Sequence, residues 1–185
     1  MQEWKKNIRQ VVPYVPGEQP KKANVIKLNT NENPYPPSPK VKEQCVKISE
    51  KTEELRLYPD PTSGMLVDAI AKYKGLDSSQ IFVGVGSDDV LAMAFLTFFN
   101  SEKPIFFPDI TYSFYDVWAD LFKIPYDKKP LDENFMIKKD DYYWKNGGVV
   151  FPNPNAPTGV LMPLDEIEDI ISHNQDVVVI VDEAY

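Results

Sequence analysis

The chain has 185 residues, 43% of them apolar and 26% charged, a composition that suits one well-packed core, or one core and part of another. Its 28 acidic and 20 basic residues leave a net charge of -8. Lys and Arg are scattered rather than clustered, which argues against broad binding to nucleic acid or anionic membrane. No apolar run approaches the roughly 18 residues that span a bilayer, and no signal-peptide core follows Met1–Lys6, so the expected location is the cytoplasm. Cys45 and His173 are the only cysteine and histidine. An internal disulfide, a cysteine zinc cluster and a Ser-His-Asp triad therefore lack their parts. Cys45 reads as a packed or half-exposed thiol and His173 as a surface residue at a helix end.

Residues 1–37 read as an arm. Pro13, Pro16, Gly17, Pro20, Pro34, Pro36 and Pro37 prevent long regular elements, leaving a short helix before Val11 and an extended Val25–Leu28. A helix is predicted from Ser38 to Leu55, with Val41, Cys45, Ile48 and Leu55 near one face, broken by Tyr58-Pro-Asp-Pro61. A second runs from Ser63 to Tyr73, with Gly75 as its stop. A βαβα pattern follows: strand Ile81–Val83, turn Gly84–Gly86, helix Asp88–Phe99, strand Lys103–Phe107, helix Tyr112–Phe122, strand Gly148–Phe151, helix Leu164–Ser172 and strand Val177–Val181. The more polar stretch from Pro125 to Asn146 is assigned a short edge strand and a short helix. Such alternation implies an α/β fold, a mostly parallel sheet with helices on both faces. The unbroken apolar run of the last strand predicts burial on both faces.

Four strand ends carry unusual residues. Gly84-Val-Gly-Ser-Asp-Asp89 is a glycine turn feeding a helix N-terminus, with Ser87 as the predicted N-cap. Free backbone N–H groups and the helix dipole favour a phosphate there, though a plain capped turn has the same pattern. At the next junction, Tyr112 can lay its ring over a flat ligand or simply join the core. Asn153-Pro-Asn-Ala-Pro-Thr-Gly159 surrounds Asn155 with turn formers that would aim its amide at a ligand atom. Asp182 and Tyr185 place an acid and a phenol just beyond the last strand, where open α/β sheets bind ligands. An apolar strand ending in Asp-Glu-Ala also describes the magnesium-binding strand of P-loop ATPases, but no G-x-x-x-x-G-K-[ST] occurs in the chain. Together the four sites suit a phosphorylated pyridine aldehyde: phosphate at Ser87, ring at Tyr112, ring oxygen near Asn155, basic ring nitrogen at Asp182.

With these motifs in order, the chain resembles the fold-type I pyridoxal-phosphate aminotransferases, and among them the histidinol-phosphate aminotransferases. The resemblance rests on Pro13-Tyr-Val-Pro-Gly17, Ile26-Lys-Leu-Asn-Thr-Asn-Glu-Asn-Pro34, Tyr58-Pro-Asp-Pro61, Gly86-Ser-Asp-Asp89, Thr111-Tyr-Ser113, Asn153–Gly159 and Asp182-Glu-Ala-Tyr185. It implies pyridoxal 5'-phosphate as cofactor and transfer of an amino group between histidinol phosphate and 2-oxoglutarate, giving imidazole-acetol phosphate and glutamate. It further implies that the backbone of Gly86, Ser87 and Asp88 holds the phosphate, that Tyr112 stacks on the ring and that Asp182 pairs with the ring nitrogen. Tyr185 would bond the ring oxygen, and Tyr58 would reach the phosphate of a neighbouring subunit, implying a homodimer. Tyr14, Glu32 and Asn33 would lie near the substrate.

Three positions depart from the pattern. Ala156 stands where Asn usually precedes Pro-Thr-Gly, so the oxygen contact falls to Asn155 or is lost; Leu57 replaces an Arg and Val85 an Asn. The resemblance makes residues 1–60 the arm and first helix and 61–185 the N-terminal part of the cofactor-binding domain. In that family the lysine that carries the cofactor lies beyond the position of Tyr185, so the chain is expected to be an N-terminal portion, inactive by itself. An aromatic aminotransferase, a threonine-phosphate decarboxylase and a non-catalytic cofactor-binding or dimerisation module are the alternatives.

Overall fold

The structure, a computed structural model, describes residues 3–15, 17–18, 21 and 24–185; the predicted breakers Pro16 and Pro20 lie outside them. It divides into two compact units, Val15–Val83 and Met1–Tyr14 with Gly84–Tyr185.

In the Val15–Val83 unit, helix α1 (Pro39–Glu50) begins where Ser38 accepts a hydrogen bond from the Lys40 N–H at 3.4 Å and Pro39 supplies a preset φ. It stops five residues short of the expected Leu55. Lys51 bonds back to the Ile48 carbonyl, and Glu54–Arg56 forms a separate 3-10 turn. Glu50, Glu53 and Glu54 crowd negative charge at the carboxyl end of the helix, where the dipole disfavours it. The stripe of Val41, Cys45 and Ile48 is exposed, and no residue of α1 is buried.

Helix α2 (Gly64–Lys74) is started by Asp60, whose carboxylate accepts from the Thr62 N–H at 2.9 Å, the Thr62 hydroxyl at 2.7 Å and the Gly64 N–H at 2.7 Å. The expected stop at Gly75 is present, in the left-handed conformation. Ala71 is the buried residue of this unit among those described. The strand expected at Ile81–Val83 does not form. A strand exists only when a partner accepts its hydrogen bonds, and no described segment pairs with these three residues.

The other unit opens with a 3-10 turn, Glu3–Asn7, in the place of the predicted short helix. Its body is helix α3 (Gly86–Phe98), strand β1 (Ile105–Pro108), helix α4 (Phe114–Phe122), strand β2 (Tyr126–Lys129), a 3-10 turn at Lys139–Tyr142, strand β3 (Gly148–Pro152), helix α5 (Leu164–Ser172) and strand β4 (Val179–Asp182). The edge strand and short helix expected between Pro125 and Asn146 are β2 and the 3-10 turn. The four strands are parallel in the order β2-β1-β3-β4.

Because alternate strand residues point to opposite faces, Phe107 and Val150 join Phe95, Phe99, Tyr115 and Trp118 of α3 and α4 in one core. Phe106, Val149 and Phe151 join Ile167 and Ile170 of α5 in a second. The α/β architecture expected from the alternation of elements is therefore observed. The burial prediction for the last strand is corrected: β1 and β3 are buried throughout, whereas β4 is half-buried. Ile180 packs on the first core and Val179 and Val181 on the second, but among the described residues β4 pairs with β3 alone. His173 caps the end of α5 at the surface as expected, its ring stacked on Tyr143 with centroids 3.9 Å apart.

Candidate active site

A parallel sheet sends every strand's carboxyl end to the same side, so the loops after β1 and β3 and the end of β4 converge there. Pro152 of β3 is level with Asp182 of β4. The N-terminus of α3 completes a cleft of about 370 Å³, open solvent at its mouth included, lined by Ser87, Tyr112, Pro152, Ala156, Asp182, Ala184 and Tyr185. Four residues singled out in the sequence, Ser87, Tyr112, Asp182 and Tyr185, thus share one cleft.

Helix α3 starts earlier than expected. Val85 is the N-cap and Ser87 the second helical residue, which corrects the reading of Ser87 as the cap. The Asp89 carboxylate accepts from the Val85 N–H at 3.0 Å, and a Cβ on Gly84 would lie 2.7 Å from that carboxylate and 2.9 Å from Val90. Gly86 has φ +83, a conformation glycine adopts without penalty. The glycines therefore bring the chain tightly into the helix, whose first-turn N–H groups at Gly86, Ser87 and Asp88 have no partner within the helix; of these three residues Ser87 lines the cleft.

Tyr112 is half-buried, and its hydroxyl donates to Asp88 Oδ1 at 2.7 Å. Its ring meets Tyr115 edge-on at 5.8 Å and 87°. Burial, then the Asp88 hydrogen bond and charge, push the Tyr112 hydroxyl well above the ordinary tyrosine range. Tyr14 stacks on Phe114 at 4.5 Å, and Phe114 lies against Tyr112 at 5.5 Å, so Tyr14 stands two rings from the cleft and does not line it.

Asp182 is anchored at three points. Tyr115 donates its hydroxyl to Oδ2 at 2.8 Å, the Ala184 N–H donates to Oδ1 at 3.2 Å, and the Asp182 carbonyl accepts from the Asn153 N–H at 2.9 Å. Tyr115 is fully buried. Desolvation, followed by the charge and hydrogen bond of Asp182, holds its hydroxyl far above the usual range, so it acts as a donor at any ordinary pH. Tyr185 lines the cleft while remaining 69% exposed.

Asn155 is corrected. It is fully buried and absent from the cleft wall. Its Nδ2 donates to the Ile110 carbonyl at 3.0 Å and to Thr158 Oγ1 at 3.2 Å, and its Oδ1 accepts from the Thr111 hydroxyl at 3.0 Å. Both amide protons are thereby used, and it is Ala156 that lines the cleft. Tyr58, Glu32 and Asn33 belong to the Val15–Val83 unit. There Tyr58 is fully exposed, Glu32 pairs with Lys27, and Asn33 Oδ1 accepts from the Tyr35 N–H at 2.9 Å.

Sequence reasoning missed Tyr115 as the anchor of Asp182. The available signal was a tyrosine three residues after Tyr112 in an apolar helix, since a buried phenol needs an acceptor. It also read Asp60 only as part of a helix breaker, not as the acceptor for the first N–H of α2, at Gly64.

The chain matches the aminotransferase class I and II family over residues 23–185. It is 57% identical over 182 residues to histidinol-phosphate aminotransferase 1 of Methylococcus capsulatus, an alignment covering 98% of this chain and 50% of that protein. Against the protein of the same name from Hydrogenovibrio crunogenus it is 54% identical over 184 residues, covering 100% and 51%. It therefore spans about half the length of the curated relatives it matches. The crystal structure of histidinol-phosphate aminotransferase from Sinorhizobium meliloti in complex with pyridoxal-5'-phosphate superposes with a TM-score of 0.72 over 83% of this chain and 42% of that one; at 18% identity this likeness establishes the fold. With a family match over most of its length, the chain belongs to the aminotransferase class I and II family.

Proposed function

We propose that the protein carrying this chain is a histidinol-phosphate aminotransferase that binds pyridoxal 5'-phosphate in the cleft and exchanges an amino group between histidinol phosphate and 2-oxoglutarate. The observation that carries this reading is the convergence of Ser87, Tyr112, Asp182 and Tyr185 on one cleft at the carboxyl end of a parallel sheet. Identity above 50% to proteins of that name across nearly the whole chain supports the choice of substrate.

The donor set fits the cofactor. The first-turn N–H groups of α3 suit a phosphate, and the Tyr112 ring, held by Asp88 and Tyr115, offers a flat wall. The Asp182 carboxylate keeps a proton on the pyridine nitrogen, and Tyr185 donates to the ring oxygen. When bound, the cofactor supplies an electron-withdrawing ring that accepts the charge left when a proton leaves the substrate carbon. No role toward the ring oxygen is assigned to Asn155. No lysine lines the cleft among the described residues, and none of the chain's lysines is assigned the covalent link.

Tyr14, Glu32 and Asn33 are proposed to approach the substrate, and the fully exposed Tyr58 to reach the phosphate in a second subunit of a homodimer. Residues 1–60 serve as the arm and first helix, and 61–185 as the first part of the cofactor-binding domain. No helix among the described residues is long and apolar enough to cross a membrane, in keeping with a cytoplasmic place.

The test is to mix purified full-length protein with pyridoxal 5'-phosphate, pass it through gel filtration, and record the visible absorbance. Glutamate is then measured after adding histidinol phosphate and 2-oxoglutarate. A retained band and glutamate formation are expected; absence of both overturns the reading.

A further inference from the structure

We propose that Tyr115 is a positioning residue for the cofactor: its hydroxyl, 2.8 Å from Asp182 Oδ2, aims the carboxylate so that its remaining lone pairs face the pyridine nitrogen. This rests on the reading of the cleft given above. An ionised carboxylate offers about four acceptor positions, and the χ2 torsion of an aspartate is broad, so a strand-end acid is not aimed by its backbone alone. Here two donors fix it, Tyr115 on Oδ2 and the Ala184 N–H on Oδ1, the second of them longer at 3.2 Å. Most of the aiming therefore falls to Tyr115.

Tyr115 is suited to the task because its ring is enclosed by other aromatic rings. It is fully buried, with Phe95 and Phe107 at 5.9 Å and Trp118 at 6.3 Å between ring centroids. The same ring meets Tyr112 edge-on at 5.8 Å. One rigid side chain thus sets both the wall on which the pyridine ring lies and the acid at its nitrogen, coupling the tilt of the ring to the direction of the carboxylate. A hydrogen bond to a charged group in such a place is among the stronger ones.

The test compares wild type, Tyr115→Phe, Asp182→Asn and the double variant as full-length protein. The readouts are the dissociation constant for pyridoxal 5'-phosphate and the 15N chemical shift of cofactor labelled at the pyridine nitrogen. Tyr142→Phe removes a hydroxyl from the core at a site with no carboxylate partner and serves as control. Tyr115→Phe should bind the cofactor about tenfold more weakly, as expected for loss of a hydrogen bond to a charged group. Its nitrogen signal should move toward the unprotonated form, and in the Asp182→Asn background Tyr115→Phe should add nothing. Wild type that holds no cofactor overturns the reading of the cleft. Wild type that holds it, with Tyr115→Phe equal to wild type in both readouts or additive with Asp182→Asn, overturns the role of Tyr115. Should Tyr115→Phe not fold, 3-fluorotyrosine at position 115 keeps the packing. Its 19F signal should shift on adding cofactor to protein with Asp182 and stay still with Asp182→Asn; equal shifts in both overturn the role.

Discussion

Thr111 donates its hydroxyl to Asn155 Oδ1 at 3.0 Å, tying the loop after β1 to the loop after β3. With the bonds from Nδ2 to Ile110 and Thr158, the amide works as a bolt between two loops that both border the cleft. Asn155→Ala should lower unfolding stability by about 2 kcal/mol, because it removes a buried amide and its hydrogen bonds to Thr111, Ile110 and Thr158. Thr111→Val should cost about 1 kcal/mol, and the double variant should cost less than the sum, since the two share one bond. Urea unfolding measures all three.

Tyr142 offers the opposite case. Its ring is buried against Phe151, with centroids 6.2 Å apart, and its hydroxyl has no hydrogen-bond partner. Tyr142→Phe keeps the ring and removes a stranded polar group, so stability should be unchanged or rise by up to about 1 kcal/mol. A loss larger than that would mean that the hydroxyl is satisfied in solution.

Alkali should unfold this chain cooperatively. Burial pushes Tyr112, Tyr115 and Tyr142 well above the ordinary range, and Tyr143 is pushed up to about 12, by desolvation and then by its hydrogen bond to Asp169. A phenol whose folded pKa is raised stabilises the fold fully below its unfolded value, near 10, and loses that contribution as pH climbs toward the folded value. Absorbance at 295 nm should show the exposed tyrosines ionising first and this group only together with loss of the circular dichroism signal.

Acid should loosen the start of α2. The Thr62 and Gly64 N–H groups and the Thr62 hydroxyl hold the Asp60 carboxyl below the usual range, the Thr62 backbone contributing most. Its contribution is present above the unfolded value, near 4, and is lost as pH falls through the lower folded value. Amide exchange at Thr62 and Gly64 should speed up as pH drops through that window, after correction for intrinsic rates, and Asp60→Ala should show the fast exchange already at neutral pH.

Replacing Tyr112 separates its two parts. If the ring stacks on the cofactor as proposed, Tyr112→Phe keeps that ring and loses the bond to Asp88, so cofactor binding should weaken only a few-fold. Tyr112→Ala removes the wall and should weaken it by about tenfold or more. Equal losses in the two variants would mean that the hydroxyl, not the ring face, matters to the ligand.

Much of this protein was legible in the chain. Alternating short apolar runs and amphipathic helices implied the parallel sheet, because hydrophobic period and turn residues act over a few neighbours. The same local chemistry marked Ser87, Tyr112, Asp182 and Tyr185, since glycine turns and strand ends are where a parallel sheet exposes backbone and side chains to a ligand. Tertiary structure decided the remainder. Thr111 and Asn155 are 44 residues apart and Tyr115 and Asp182 are 67, and only the order β2-β1-β3-β4 brings them together. The rigid turn at Asn155 was visible in sequence, but whether its amide pointed to a ligand or to a neighbouring loop depended on what Thr111 offered across the gap. Likewise the run ending at Asp182 specified a strand and an acid. That the strand lies at the sheet edge, and that a buried tyrosine holds the acid in place, follows from pairing and packing between distant segments, which no local pattern encodes.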